Sequence, residues 1–143
     1  MDTLNFGLLA PIKLPLAKKI YKSHYPAAKP KSDERIITAQ VGSQLCALVR
    51  FRRIENCRLM TGMLVIPDYR QRGVGHKLMQ HLVQQELAEQ DFCFALEHLE
   101  TFYCQHGFQT IDKDALPNSL KQLFLRYIQG GKSLVAMQYV DPN

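Results

Sequence analysis

The chain has 143 residues, within the usual size of one domain, and 46% hydrophobic residues with 8 Gly and 7 Pro, which excludes a disordered or fibrous chain. A formal net charge of +5 favours anions without choosing among nucleic acid, an acidic substrate and a phosphate-rich cofactor. Met1 to Pro15 lacks the charged stretch, long apolar core and cleavage site of a leader, and nowhere do about eighteen apolar residues run together, so the chain reads as cytoplasmic with no membrane partner.

After a short extended lead, Leu16, Ala17, Ile20, Tyr21 and His24 recur at helical spacing, with Lys18, Lys19 and Lys22 opposite and Pro15 suited to the first turn. Pro26 and Pro30 close this helix, and Ala27 to Asp33 reads as a surface connection bordering the site. Then come β-rich runs over Arg35 to Val41, Gln44 to Arg53 and Cys57 to Ile66. Gly42-Ser43 suits a type II′ turn and Glu55-Asn56 a second tight link, so three antiparallel strands are expected. The basic run Arg50-Phe51-Arg52-Arg53 reads as a solvated face alternating with a buried Phe51. It lacks the interleaved aromatics of a single-strand groove, which disfavours nucleic acid.

Beyond Pro67, the apolar positions Val74, Leu78, Met79, Leu82, Val83 and Leu87 repeat with helical period. Phe92 to Leu96 reads as a buried strand, Leu99 to His106 as a short helix ended by Gly107, and the chain near Phe108 as another strand. A further helix over Asn118 to Gln129 carries Leu120, Leu123, Phe124, Tyr127 and Ile128 on one face, and Ser133 to Val140 makes a final strand. Cys46, Cys57, Cys93 and Cys104 form no C-x-x-C pair and no two His stand at i, i+4. No metal site is expected, and the thiols read as reduced and mostly buried. His24, His81 and His106 read as surface or satisfied polar residues.

The segment that carries chemistry runs from Leu59 to His76, an apolar strand leading through Arg70-Gln71-Arg72-Gly73-Val74-Gly75 into a helix. The first turn of a helix leaves backbone N–H groups without partners and adds a partial positive charge, so it is an anion cradle. Glycines at 73 and 75 let phosphates approach without meeting a Cβ. A P-loop would need Gly-Lys-Ser/Thr, and a dinucleotide fold a third Gly where Leu78 stands.

Pro67-Asp68-Tyr69 followed by Arg70-x-x-Gly73-x-Gly75 resembles the Q/R-x-x-G-x-G/A pyrophosphate signature of the GNAT acetyltransferases. Downstream, Leu99-Glu100-Thr101-Phe102-Tyr103-Cys104-Gln105-His106-Gly107-Phe108 resembles that family's A-x-x-F/L-Y-x-x-x-G-F segment, with Leu99 or Glu100 in place of Ala. The element order is similar along the whole chain, apart from the helix inserted before the last strand. The resemblance implies one domain over residues 1–143 with an α/β fold. Its sheet would be mixed and mostly antiparallel, with helices on both faces, splayed between the strands Leu59 to Ile66 and Phe92 to Leu96 where acetyl-CoA enters.

It also implies roles. The backbone of Met63, Leu64 and Val65 would hold the thioester carbonyl and pantetheine arm, and the N–H of Met63 or Leu64 would stabilise the oxyanion. Amides from Gln71, Arg72, Gly73, Val74, Gly75 and His76, behind Arg70, would hold the pyrophosphate, while Gly62 marks a bulge that opens the strand. Tyr103 matches the tyrosine that protonates the departing thiolate, as a phenol of ordinary pKa near 10 can. For the base that deprotonates the amine, His98 and Glu97 come first, while Glu100, Asp68, His76 and ordered water stay open. The expected activity is direct transfer of acetyl from acetyl-CoA to an amine of unspecified identity, with a homodimer left open. The alternative is a non-catalytic acetyl-CoA-binding sensor or interaction module.

Overall fold

The strand runs of the sequence are rich in Ile, Leu, Val and Phe at positions that a pleated sheet buries, and the computed structural model, which describes residues 3–140, pairs them into a seven-stranded sheet. In chain order the elements are β1 (Leu4–Leu8), α1 (Leu14–His24), β2 (Arg35–Val41), β3 (Gln44–Ile54), β4 (Cys57–Val65) and α2 (Val74–Gln85). They continue with β5 (Asp91–Leu96), α3 (Glu100–Cys104), β6 (Phe108–Thr110), α4 (Asn118–Gln129) and β7 (Leu134–Tyr139). The strand order is β1-β2-β3-β4-β5-β7-β6. β4 and β5 run parallel over Arg58–Met60 and Asp91–Cys93, and both strands continue beyond that register. Among the described residues no helix is long and apolar enough to cross a membrane.

The chain divides into two compact units, residues 1–52 with 61–82, and residues 53–60 with 83–143. In the first, Gly42-Ser43 joins β2 to β3 with Val41 opposite Gln44, as the two-residue turn requires. The expected extended lead is a strand: Leu4 to Leu8 pairs antiparallel with Val41 to Ile37. Its Leu-Asn-Phe-Gly-Leu run alternates over only five residues and carries Asn and Gly, which strands disfavour, so it is pairing with β2 that fixes it.

Cross-strand register sorts the faces of this unit. Ile36 opposite Arg50, and Thr38 opposite Leu48, share one face, where Ala17 and Tyr21 of α1 close a core with Ile36, Leu48 and Leu64. Phe6 opposite Ala39, and Ala39 opposite Ala47, share the other, where the Phe6 ring stacks on His81 of α2 at 4.9 Å. Helices therefore cover both faces.

The second unit is built on β5, β7 and β6. The helix expected over Asn118 to Gln129 is present as α4, and it buries Leu120, Leu123 and Phe124 against Leu59, Phe92 and Ala136. Phe94 meets Phe124 edge-on at 5.1 Å. Arg58 binds Asp91 through Nε at 2.7 Å and Glu86 through Nη1 at 2.6 Å, tying the start of β4 to the segment after α2 and the start of β5.

Two side-chain expectations are corrected. Arg50 is 7% exposed rather than solvated, because it lies on the face covered by α1, whereas Phe51 is buried and Arg53 exposed as expected. All four cysteines are free; Cys46 and Cys93 are buried, but Cys57 is half-buried and Cys104 exposed, since α3 turns that residue outward.

Candidate active site

β4 ends on Met63, Leu64 and Val65, whose alternation buries Leu64 in the α1 core and leaves Met63 and Val65 half-buried. One residue earlier, Gly62 has φ 66°, and a Cβ built there would lie 3.1 Å from Arg50 Nε and 3.2 Å from the Tyr21 hydroxyl. A side chain there would be strained by the left-handed backbone and would press on both neighbours. The fully buried Tyr21 donates its hydroxyl hydrogen to the Gly62 carbonyl at 2.7 Å. Arg50 stands 5.5 Å from the Tyr21 ring centroid, and burial, opposed by Arg50, raises the phenol well above its ordinary range. Glu34 approaches Arg50 Nη1 at 3.7 Å and Arg52 Nε at 3.6 Å, yet Arg50 Nε and Nη1 find no hydrogen-bond acceptor among the described residues.

After β4 the chain makes a one-turn 3₁₀ helix over Pro67–Tyr69, then Arg70 to Gly73, then α2. Arg70 reaches back so that its Nε donates to the Val65 carbonyl at 2.9 Å, clasping the turn to the strand end. The Arg72 guanidinium lies 5.6 Å from the Tyr69 ring centroid. Gln71 at φ 64° and Gly73 at φ 75° flank Arg72, and left-handed residues at such intervals turn successive N–H groups toward one concave side. The Lys77 N–H donates to the Gly73 carbonyl at 3.0 Å, so the helical ladder begins there. Amides ahead of it belong to the first turn, which has no carbonyl one turn back to receive them. Val74 is buried and roots α2, while Arg70, Gln71, Arg72, Gly73 and His76 are exposed and Gly75 is half-buried. A Cβ on Gly73 would meet nothing within 4 Å, so the space before the turn is open. A diphosphate fits this donor set: exposed amides, a helix N-terminus and flanking guanidiniums.

The remaining predicted residues belong to the second unit. Tyr103 in α3 is buried, edge-on to Phe102 at 5.0 Å and Phe108 at 6.0 Å. Glu97 and His98 occupy a one-turn 3₁₀ helix, Glu97–Leu99, directly after β5, and both are exposed. Of the other carboxylates weighed as a base, Glu100 accepts a short hydrogen bond from the Thr110 hydroxyl, and Asp68 is exposed in the 3₁₀ turn after β4. Met63 to His76 thus form one continuous group, and Glu97, His98 and Tyr103 another. No group of three metal-ligating side chains occurs among the described residues.

The Tyr21, Arg50 and Glu34 contacts were missed from sequence, because they join residues from α1, β3 and the connection before β2. The one available signal was Gly62 inside an otherwise apolar strand, which marks a close approach.

The Acetyltransferase (GNAT) domain family matches residues 32–110, more than half of the chain. The chain belongs to the GNAT acetyltransferase family. That match covers both the glycine turn and the segment of Tyr103. No curated protein matches the sequence.

Among solved structures, this GNAT chain is similar to N-acetylglutamate synthase from Neisseria gonorrhoeae, complexed with coenzyme A and N-acetyl-glutamate. The TM-score is 0.75 at 13% identity, over 97% of this chain and 35% of that one, so it spans about a third of that relative's length. It is also similar to the ribosomal-protein-S18-alanine N-acetyltransferase of Escherichia coli, with TM-score 0.66 and 15% identity over 96% of this chain and 93% of that chain. Arabidopsis thaliana Naa50, in complex with the bisubstrate analogue CoA-Ac-MVNAL, gives TM-score 0.66 and 14% identity over 96% and 98%. At these identities the likeness establishes the fold.

Proposed function

We propose that the chain is a single N-acetyltransferase domain that moves an acetyl group from acetyl-CoA to an amine by direct attack in a ternary complex. The observation that carries this reading is the exposed turn from Arg70 to Gly75, with left-handed residues at 71 and 73 and open space before Gly73. CoA bound to similar structures supports the donor, and their coverage of nearly the whole chain supports one domain. Their acceptors differ, with N-acetyl-glutamate in one and a peptide analogue in another, so they do not select the amine. The free thiols suit a reducing, cytoplasmic setting.

When bound, acetyl-CoA supplies an activated thioester. The amides from Gln71 to His76 hold the pyrophosphate, with Arg70 and Arg72 adding charge. Met63, Leu64 and Val65 bind the pantetheine arm as a strand would, and the N–H of Met63 or Leu64 faces the charge that develops on the thioester oxygen. Because these are backbone groups fixed by Gly62 and Tyr21, they need no reorganisation during reaction. Tyr103 donates the proton to the leaving sulfur, and His98 or Glu97 takes the proton of the amine.

Calorimetric titration with acetyl-CoA tests the reading. Wild type should bind and Gly73→Asp, checked for folding because a left-handed φ of 75° strains any side chain there, should bind at least about 100-fold more weakly, since its carboxylate would enter the open space that faces the pyrophosphate. A folded wild type that binds neither acetyl-CoA nor CoA overturns the proposal. Binding without thiol release in the presence of acceptor amines would leave a CoA-binding module.

A further inference from the structure

Past Gly62, the last residues of β4 take alternating sides. The Ile66 N–H donates to the Cys46 carbonyl of β3 at 2.8 Å. In an extended strand the N–H and C=O of one residue share a side and its neighbours take the other, so the backbone of Leu64 also turns toward β3. That of Met63 and Val65 turns away. The Val65 carbonyl agrees, since it accepts from Arg70 Nε at 2.9 Å. The ladder between β4 and β5 ends at Met60 and Cys93, short of Met63. Of the two amides that follow Gly62, the Leu64 N–H therefore belongs to the β3 side and the Met63 N–H lies outside both ladders.

The Met63 N–H and the Gly62 carbonyl are two ends of one peptide group. That peptide is trans, so they point in opposite directions. At the carbonyl end stands the Tyr21 hydroxyl of α1, donating at 2.7 Å. A donor on the carbonyl oxygen draws amide electron density toward oxygen and leaves the nitrogen more positive, which strengthens the N–H as a donor by about 10–30%. Tyr21 is fully buried, so its hydrogen bond meets no competing water, and burial keeps the phenol protonated at neutral and mildly alkaline pH. The core around it, Ala17, Ile36, Leu48 and Leu64, is apolar and would accept a Phe ring; only the Gly62 carbonyl makes use of the hydroxyl.

We propose that Tyr21 is a positioning residue for acyl transfer. Through the Gly62 carbonyl it orients and polarises the Met63 N–H, and this N–H, rather than that of Leu64, meets the negative charge that gathers on the thioester oxygen. The proposal rests on the acetyltransferase reading above.

The test reads polarisation directly and needs neither turnover nor an acceptor. Difference infrared spectra of acetyl-CoA labelled with carbon-13 at the thioester carbonyl, bound to the full chain, report the carbonyl stretch. The stretch should fall on binding to wild type and fall less on binding to Tyr21→Phe, while calorimetric affinity for acetyl-CoA stays within about threefold. Ile36→Val, which loosens the same core without touching Gly62, should match wild type in both readouts. Backbone esters then assign the amide, and ligation at Cys57 and Cys93 lets the segment between them be made chemically. An ester in place of the Gly62–Met63 peptide removes the Met63 N–H and should abolish the downshift. An ester in place of the Met63–Leu64 peptide removes the Leu64 N–H and should keep it. Each variant is checked for folding by circular dichroism, and Tyr21→Phe decides the polarisation if an ester chain does not fold.

Failure of wild type to bind acetyl-CoA would sink the acetyltransferase reading itself. With binding intact, the Tyr21 proposal is overturned by no downshift in wild type, by an equal downshift in Tyr21→Phe, or by a downshift lost with the Met63–Leu64 ester and kept with the other.

Discussion

Gly62 is held from two directions, by the Tyr21 hydroxyl on its carbonyl and by Arg50 Nε against the place a Cβ would occupy. Tyr21→Phe keeps the ring and removes only the hydrogen bond, so it should cost about 1 kcal/mol of stability. If this restraint aims the next amides at the thioester, the same variant should lower kcat about tenfold while acetyl-CoA affinity changes little, since a small misplacement weakens transition-state contacts first. Steady-state kinetics beside a urea melt separate the two effects. Gly62→Ala combines a left-handed backbone with a crowded Cβ and should be the more damaging, by about 1–3 kcal/mol. On the other unit, Tyr103→Phe should fold normally and lower kcat about 100-fold, the usual worth of a general acid, with KM for acetyl-CoA near wild type. Pre-steady-state measurement of thiol release checks this directly, and an unchanged kcat would return Tyr103 to a packing role beside Phe102 and Phe108.

At the scale of elements, Arg58 is the joint that secures the parallel pair β4 and β5. Asp91 is fully buried, and truncation by Arg58→Ala removes the guanidinium that pairs with it, for an expected loss of about 3–5 kcal/mol in chemical denaturation. The sequence revealed the long elements well, because α2 and α4 repeat their apolar residues over three turns and β2 to β4 carry dense β-branched and aliphatic runs bounded by turn residues. The glycine turn was legible for a related reason, since its chemistry belongs to the backbone and the residues allowing it are consecutive. β1 was not legible, being a five-residue strand defined by its partner. Nor was the burial of Arg50, which depends on α1 lying across its face.

For the molecule as a whole, pH acts on stability through groups that folding keeps protonated. Burial raises the Tyr21 phenol above its ordinary value of 10, and burial also raises the Cys93 thiol above its ordinary value of 9. Both groups bind protons more tightly in the folded state, so their contribution is complete below those ordinary values and is lost as pH rises through and beyond them. Denaturation midpoints should therefore hold steady from neutrality to about pH 8 and fall above about pH 10. Tyr21→Phe should flatten part of that alkaline slope, and an identical slope in the variant would mean that other groups cause it.

The two units also interleave along the chain, because residues 53–60 belong with 83–143 while residues 61–82 return to the first. A ribosome therefore finishes the first unit, through residue 82, while the opening half of β4 still lacks its parallel neighbour. At roughly 5–20 residues per second, the interval between residue 60 and the pairing segment at 91–93 is about 2–6 s. During that interval Leu59 and Met60, buried in the finished protein, are exposed on the nascent chain, which makes synthesis rate and chaperones that meet the nascent chain part of what determines its yield.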